Sequence, residues 1–117
     1  PVVRRADGSM IGVEAVIDKD AASALLAANC GADALLLLTD VAAVYTGFGT
    51  DEAEALQWLS PEEARALQMP AGSMGPKIGA ACTFADQGGI ASIGRLSDAL
   101  KLLNGTAGTR ISAAPKL

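Results

Sequence analysis

The stretch Ala32-Asp33-Ala34-Leu35-Leu36-Leu37-Leu38-Thr39-Asp40 constrains this chain more than any other. Four consecutive leucines leave no polar alternation. A strand with one wet face needs that alternation, so an unbroken run suits a strand covered on both faces, as in a parallel sheet flanked by helices. We read Leu35–Leu38 as the central strand of such a sheet. The run stops at Thr39-Asp40, where a parallel strand leaves its sheet. Ligands of open α/β sheets bind beyond the carboxyl ends of the strands. Thr39 and Asp40 are therefore expected to form one wall of a site; the alternative is that Asp40 only starts a turn.

Composition narrows the chemistry. The chain has 117 residues, enough for one domain, and half are hydrophobic, yet only 3% are aromatic. Its core must be built from Ala, Val, Leu and Ile. The net charge is −4 and the isoelectric point about 4.6. An acidic surface argues against a nucleic-acid partner, which requires a basic face to displace counterions. No apolar run is long enough to span a bilayer, and no signal peptide is evident. Cys30 and Cys82 form no CxxC pair and lie in Ala-rich surroundings. They read as small buried core thiols, which fits a reducing cytoplasm. Histidine is absent, which excludes a Ser-His-Asp triad, a Cys-His pair and a histidine metal site within this chain. Chemistry here must rest on Lys, Asp, Glu, backbone amides and a hard cation such as Mg²⁺. The opening Pro1-Val2-Val3, without an initiator Met, reads as part of a longer polypeptide.

Along the chain, Val2-Val3 ends one strand, Asp7-Gly8 signals a turn, and Gly12–Ile17 reads as extended. Asp18 is placed to cap a helix over Ala21–Asn29, with Asp20 in its first turn and Leu25 and Leu26 toward the core. Gly31 suits the left-handed residue beyond the helix end. Strand, helix and buried strand would then form one crossover unit. A loop follows through Gly47 and Gly49, then a short extended piece over Leu56–Leu59. Ser60-Pro61-Glu62-Glu63 is a helix start with a capping box and Pro at the first helical position, running to about Gln68. A loop over Pro70–Gly75 leads to a helix opened by Pro76 and ended near Gln87 by Gly88-Gly89. Ile90–Ile93 is a strand, Ser97 caps a helix over Asp98–Asn104, Gly105 ends it, and Gly108–Ile111 is a last strand. This alternation predicts a three-layer αβα sandwich with a mainly parallel sheet.

Three stretches offer chemistry. In Asp18-Lys19-Asp20 a cation sits between two carboxylates; such a group can hold a second lysine or a metal-bound phosphate, or it can be a solvated cap. Thr39-Asp40 with Tyr45 supplies a hydroxyl, a carboxylate and a ring able to bind a sugar and a base, or forms a capped turn. In Gly72-Ser73-Met74-Gly75-Pro76-Lys77 a glycine-bracketed loop enters a helix start. Backbone amides can there approach an anion, and Lys77 adds a full charge. A cation in the first turn opposes the helix dipole, by about 0.3–1 kcal/mol, and a bound phosphate would remove that penalty.

Taken together these stretches resemble the carbamate kinases. Ile17-Asp18-Lys19-Asp20 with Ser23, Leu26 and Ala27 is similar to their I-D-K-D-x-x-S-x-x-L-A segment. Leu38-Thr39-Asp40-Val41 with Val44-Tyr45 is similar to L-T-D-V-x-x-V-Y, and Gly72–Lys77 matches G-S-M-G-P-K without a change. Gly88-Gly89, Ile93-Gly94 and Ala107–Ile111 follow in family order. The resemblance covers residues 1–111 and leaves 112–117 as a tail. It implies the carboxyl-terminal, nucleotide-binding half of an amino-acid-kinase-like αβα sandwich. The amino-terminal half, with its G-G-N-A loop, a further catalytic lysine and the carbamate pocket, is missing. The implied reaction is reversible phosphoryl transfer, ATP + carbamate giving ADP + carbamoyl phosphate, with Mg²⁺, as used in arginine metabolism. By matching positions, Lys19 and Lys77 would neutralise phosphoryl charge and Asp20 would hold the lysines. Thr39, Asp40, Tyr45, Met74, Gly75 and Lys77 would line the nucleotide site. Ala42 departs from the polar or acidic residue that many relatives carry there. No protein metal ligand is implied. The full-length protein would be a cytoplasmic homodimer acting on small molecules, with no nucleic acid or membrane partner, and these 117 residues alone would be inactive. Two alternatives stay open: a non-catalytic nucleotide-binding or regulatory module of the same fold, and an enzyme of that fold with another acceptor.

Overall fold

A computed structural model describes residues 1–15, 18–46, 53–67 and 74–113. Its centre is a four-stranded sheet in the order β3-β7-β8-β6. β3 (Ala34–Thr39) runs parallel to β7 (Ile90–Arg95), with Leu36 opposite Ser92 and Leu38 opposite Gly94. β7 runs antiparallel to β8 (Thr109–Ile111), and β6 (Trp58–Leu59) pairs parallel with β8. The sheet is therefore mixed, which corrects the mainly parallel sheet expected. The leucine run does form a strand, but not the central one. β3 is the end strand of the sheet, paired only with β7 among the described strands, and Leu38 is 38% exposed.

The expected first crossover is also corrected. β1 (Val2–Arg4) and β2 (Met10–Gly12) pair antiparallel through the Asp7-Gly8 turn and form a separate two-stranded sheet. Val13, Glu14 and Ala15 are not in a strand, and Val16 and Ile17 lie outside the described residues. The parallel pair that does form is β3 with β7, and the chain between them includes α3 (Met74–Asp86), packed on both strands.

Helix α1 (Lys19–Asn29) begins where its cap predicts. The Asp18 carboxylate accepts from the Asp20 and Ala21 amides at 2.9 and 3.3 Å. Gly31 takes a φ of +70° at the far end, a conformation that a side chain disfavours. The buried stripe is Asp20 and Ala24, not the leucines: Leu25 and Leu26 are 63% and 65% exposed. Small residues win this face because α1 lies close against α3, where Ala21 and Ala24 meet Gly79 and Ala80 across a narrow groove.

Helix α2 (Pro61–Ala66) has the complete capping box. Ser60 Oγ accepts from the Glu63 amide at 3.1 Å, and Glu63 Oε1 accepts from the Ser60 amide at 3.2 Å. It ends at Ala66; Gln68 lies outside the described residues. Arg65 of α2 pairs with Asp86 of α3, and the guanidinium holds the Asp86 carboxyl below its usual range. Helix α3 includes Met74 and Gly75, two residues ahead of the expected start at Pro76. Gly72, Ser73 and the loop from Gly47 to Thr50 lie outside the described residues.

After β7, one turn of 3₁₀ helix (Leu96–Asp98) leads to α4 (Ala99–Asn104). Ser97 is inside that turn rather than a cap, and neither short helix has a side-chain cap bond. Gly105 ends α4, as expected, and does so in the left-handed conformation. Ala91 and Ile93 of β7 join the core with α3, whereas Ser92 Oγ bonds the Leu102 carbonyl of α4. Alternate residues of β7 thus meet helices on opposite faces, which gives the sandwich its three layers. The core is aliphatic, with Leu37, Ile78, Ala81, Ile93 and Ile111 around one ring, Phe84. Cys82 is within it, but Cys30 at the end of α1 is exposed, which corrects the reading of both as core thiols. Among the described residues no helix is long and apolar enough to cross a membrane.

Candidate functional site

Two of the expected charged stretches meet at one carboxylate. Asp20, in the first turn of α1, is 8% exposed; Lys77, the fourth residue of α3, is 5% exposed. Lys77 Nζ donates to Asp20 Oδ2 at 3.4 Å, and Lys19 Nζ lies 3.7 Å from the same oxygen. The Lys19 side chain is otherwise exposed. The sequence separates Lys77 from Asp20 by 57 residues; the packing of α1 on α3 brings them together. One carboxylate thus faces two ammonium groups, while the neighbouring Asp18 carboxylate accepts from the α1 amides. Taking a lysine out of water is costly, and an apolar pair would serve the packing at least as well. A buried cation held beside two helix N-termini is an arrangement suited to an anion.

The other expected residues stand at the carboxyl end of β3. Thr39 Oγ1 donates to Asp40 Oδ1 at 3.3 Å, with Thr39 half-buried and Asp40 exposed. The chain then runs through Val41–Val44 to β4 (Tyr45–Thr46), which pairs antiparallel with β5 (Glu54–Ala55). Tyr45 lines a cleft of about 490 Å³ with Ala42, Gln57, Asp98, Thr106 and Gly108. Met74 is half-buried against the core, and Gly75 lines a groove between α2 and α3. Lys19, Asp20 and Lys77 therefore form one cluster, Thr39 and Asp40 a second, and Tyr45 the wall of a cleft. Among the described residues no group of three or more His, Cys, Asp or Glu side chains is placed to hold a metal ion.

One buried residue had no role in the sequence reading. Thr109 of β8 is fully buried, and its hydroxyl bonds the backbone of Val44 and of Leu56. Its partners are 65 and 53 residues away, so the Ala107–Ile111 stretch marks its place in the chain but not these bonds.

An edge-ended α/β sheet, a strand that stops at Thr-Asp and a lysine-carboxylate cluster at two helix starts together fit a phosphate-handling fold. The Amino acid kinase family model matches residues 2–93, and the chain belongs to that family. Within it, the chain is 47% identical over 95% of its length to the carbamate kinase of Rhizobium meliloti, and 50% identical over 86% to that of Haemophilus influenzae. It spans 35% and 33% of those two proteins, about a third of each. The carbamate kinase of Giardia lamblia bound to AMP-PNP superposes with a TM-score of 0.89 at 39% identity, covering 97% of this chain and 41% of that one.

Proposed function

We propose that the chain is the carboxyl-terminal, nucleotide-binding part of a carbamate kinase. In the whole protein it would serve reversible transfer of a phosphoryl group from ATP to carbamate, giving ADP and carbamoyl phosphate. The observation that carries this reading is the buried Lys77, 3.4 Å from Asp20 with Lys19 beside it. Phosphoryl transfer needs little covalent help from a protein; it needs positioning and positive charge around the transferring group. Lys77 and Lys19 supply that charge, and Asp20 fixes where Lys77 Nζ points. Thr39, Asp40, Tyr45, Met74 and Gly75 would border the nucleotide. Mg²⁺ usually keeps several waters and binds through substrate phosphates with one or two carboxylates. The ion would travel with the nucleotide and offset phosphate charge. The homodimer and cytoplasmic setting expected for the full protein belong to the same proposal.

Two measurements test it. Calorimetric titration of the folded chain with MgADP should give weak binding, with a Kd near the millimolar end of the scale (about −4 kcal/mol). A folded sample without heat at millimolar nucleotide would count against the reading. The second replaces the matching stretch of the Rhizobium meliloti enzyme by this chain. Carbamoyl-phosphate-dependent ATP formation by the graft is expected. The 117 residues alone should show none, because the acceptor site and hence the positioning are elsewhere. A graft that folds and binds ADP but never makes ATP would favour the non-catalytic module.

A further inference from the structure

We propose that Thr109 is a positioning residue for the candidate nucleotide site: its hydroxyl sets the path of the Asp40–Tyr45 segment. This rests on the nucleotide-binding reading above and adds to it a residue that contacts no ligand. The segment leaves β3 and has no regular structure until β4. Its course must therefore be fixed by something other than a ladder. The Val44 amide donates to Thr109 Oγ1 at 2.8 Å, and that hydroxyl donates onward to the Leu56 carbonyl at 2.5 Å. The circuit closes where the Leu56 amide donates to the Val44 carbonyl at 2.8 Å.

Both Thr109 and Val44 are shut away from solvent, at 0% and 1% exposure. Water cannot easily replace the hydroxyl, and a buried amide or carbonyl without a partner is costly. Only a group that donates and accepts at one atom can satisfy both backbone groups, which selects a hydroxyl side chain. Tyr45 is one peptide bond beyond Val44 and lines the cleft, so a shift at Val44 moves its ring directly. Nearer its other end the segment lies in close contact with β7. A Cβ built on Gly94 would lie 3.2 Å from the Ala42 carbonyl, so that glycine lets the segment lie close on β7. Thr109 is thus a buried side-chain fixing point of the segment, beside the backbone bond between Leu56 and Val44.

The test compares Thr109→Val, which keeps the shape and loses the hydroxyl, with Thr109→Ser, which keeps the hydroxyl. Each is titrated with MgADP at a temperature where melts show it fully folded, and amide hydrogen exchange is followed at Val44 and Leu56. Thr109→Val should bind ADP about tenfold more weakly than the parent, as expected for one unsatisfied buried bond felt at the site. Its Val44 amide should exchange faster. Thr109→Ser should restore both. If Thr109→Val does not fold, Thr109→Cys takes its place, because a thiol is a weak donor and acceptor in a similar volume; its affinity should fall below that of the Ser variant. Equal ADP affinity across the folded variants would overturn the inference and show a purely structural threonine, leaving the nucleotide reading in place. A folded parent that binds no ADP would overturn that reading, and this inference with it.

Discussion

Lys77 shows why the charge at this site needs a functional explanation. From the sequence, a lysine in the first turn of a helix merely opposes the dipole, so removing its charge should leave stability unchanged or slightly raised. The fold adds a larger opposing effect, because Lys77 is one of two cations facing the buried Asp20 carboxylate. Lys77→Met should therefore destabilise the chain. Breaking a buried pair costs about 3–5 kcal/mol when no partner remains; Lys19 stays near Asp20, so about 1–3 kcal/mol is expected. Asp20→Asn in the same chain should recover most of that, because the stranded carboxylate is gone. Denaturant melts of the single and double variants read the coupling. In the grafted enzyme, Lys77→Met should lower turnover at least about a hundredfold, since one preorganised donor or charge at a developing anion contributes about 2.7–4 kcal/mol. Near-parental turnover would remove Lys77 from the proposed machinery.

At the scale of elements, the turn between α4 and β8 is fixed by what its glycines leave out. Gly108 has a φ of +70°, and an added Cβ would lie 2.0 Å from Leu102 Cδ2 and 2.5 Å from the Ile93 carbonyl oxygen. The leucine tip can move, but the β7 backbone cannot without breaking its pairing with Thr109. Gly8, in the β1–β2 turn, has a φ of +88° and open space around it. Gly8→Ala should cost about 1 kcal/mol of backbone strain alone. Gly108→Ala adds overpacking, typically about 1–3 kcal/mol, and should be the more damaging by that margin. Urea midpoints of the two variants at equal m-value would show the difference; equal losses would mean that the tight turn relaxes freely. Helix starts were legible at this scale because a cap is local. Asp18 and the Ser60–Glu63 box lie within three residues of the amides they bond. The start of α3 was misplaced because Pro76 is compatible with the third helical position as well as the first, and sequence favours the first.

For the whole molecule, burial separates the two cysteines more sharply than sequence does. Burial pushes the Cys82 thiol up from its ordinary value, and its Sγ faces the Pro61 carbonyl at 3.7 Å. Cys30 is exposed at the end of α1. A thiol reagent at neutral pH should label Cys30 in the folded chain and reach Cys82 only after denaturation. Labelling both at one rate without denaturant would contradict the core described above. The same division runs through the fold. The sequence by itself determined what short-range chemistry determines: the leucine strand, two helix caps, the left-handed Gly31 and the helix end at Gly105. It placed Leu25 and Leu26 inward and β3 at the centre, because apolarity says that a residue prefers cover but not which neighbour supplies it. Only the tertiary structure decided that small alanines face α3, that β3 ends its sheet, and that β8 turns that sheet from parallel to mixed. Only it, too, joined Lys77 to Asp20 and Thr109 to Val44. Those contacts span 57 and 65 residues, and pairings at such distance depend on how elements stack, which no window of the sequence contains.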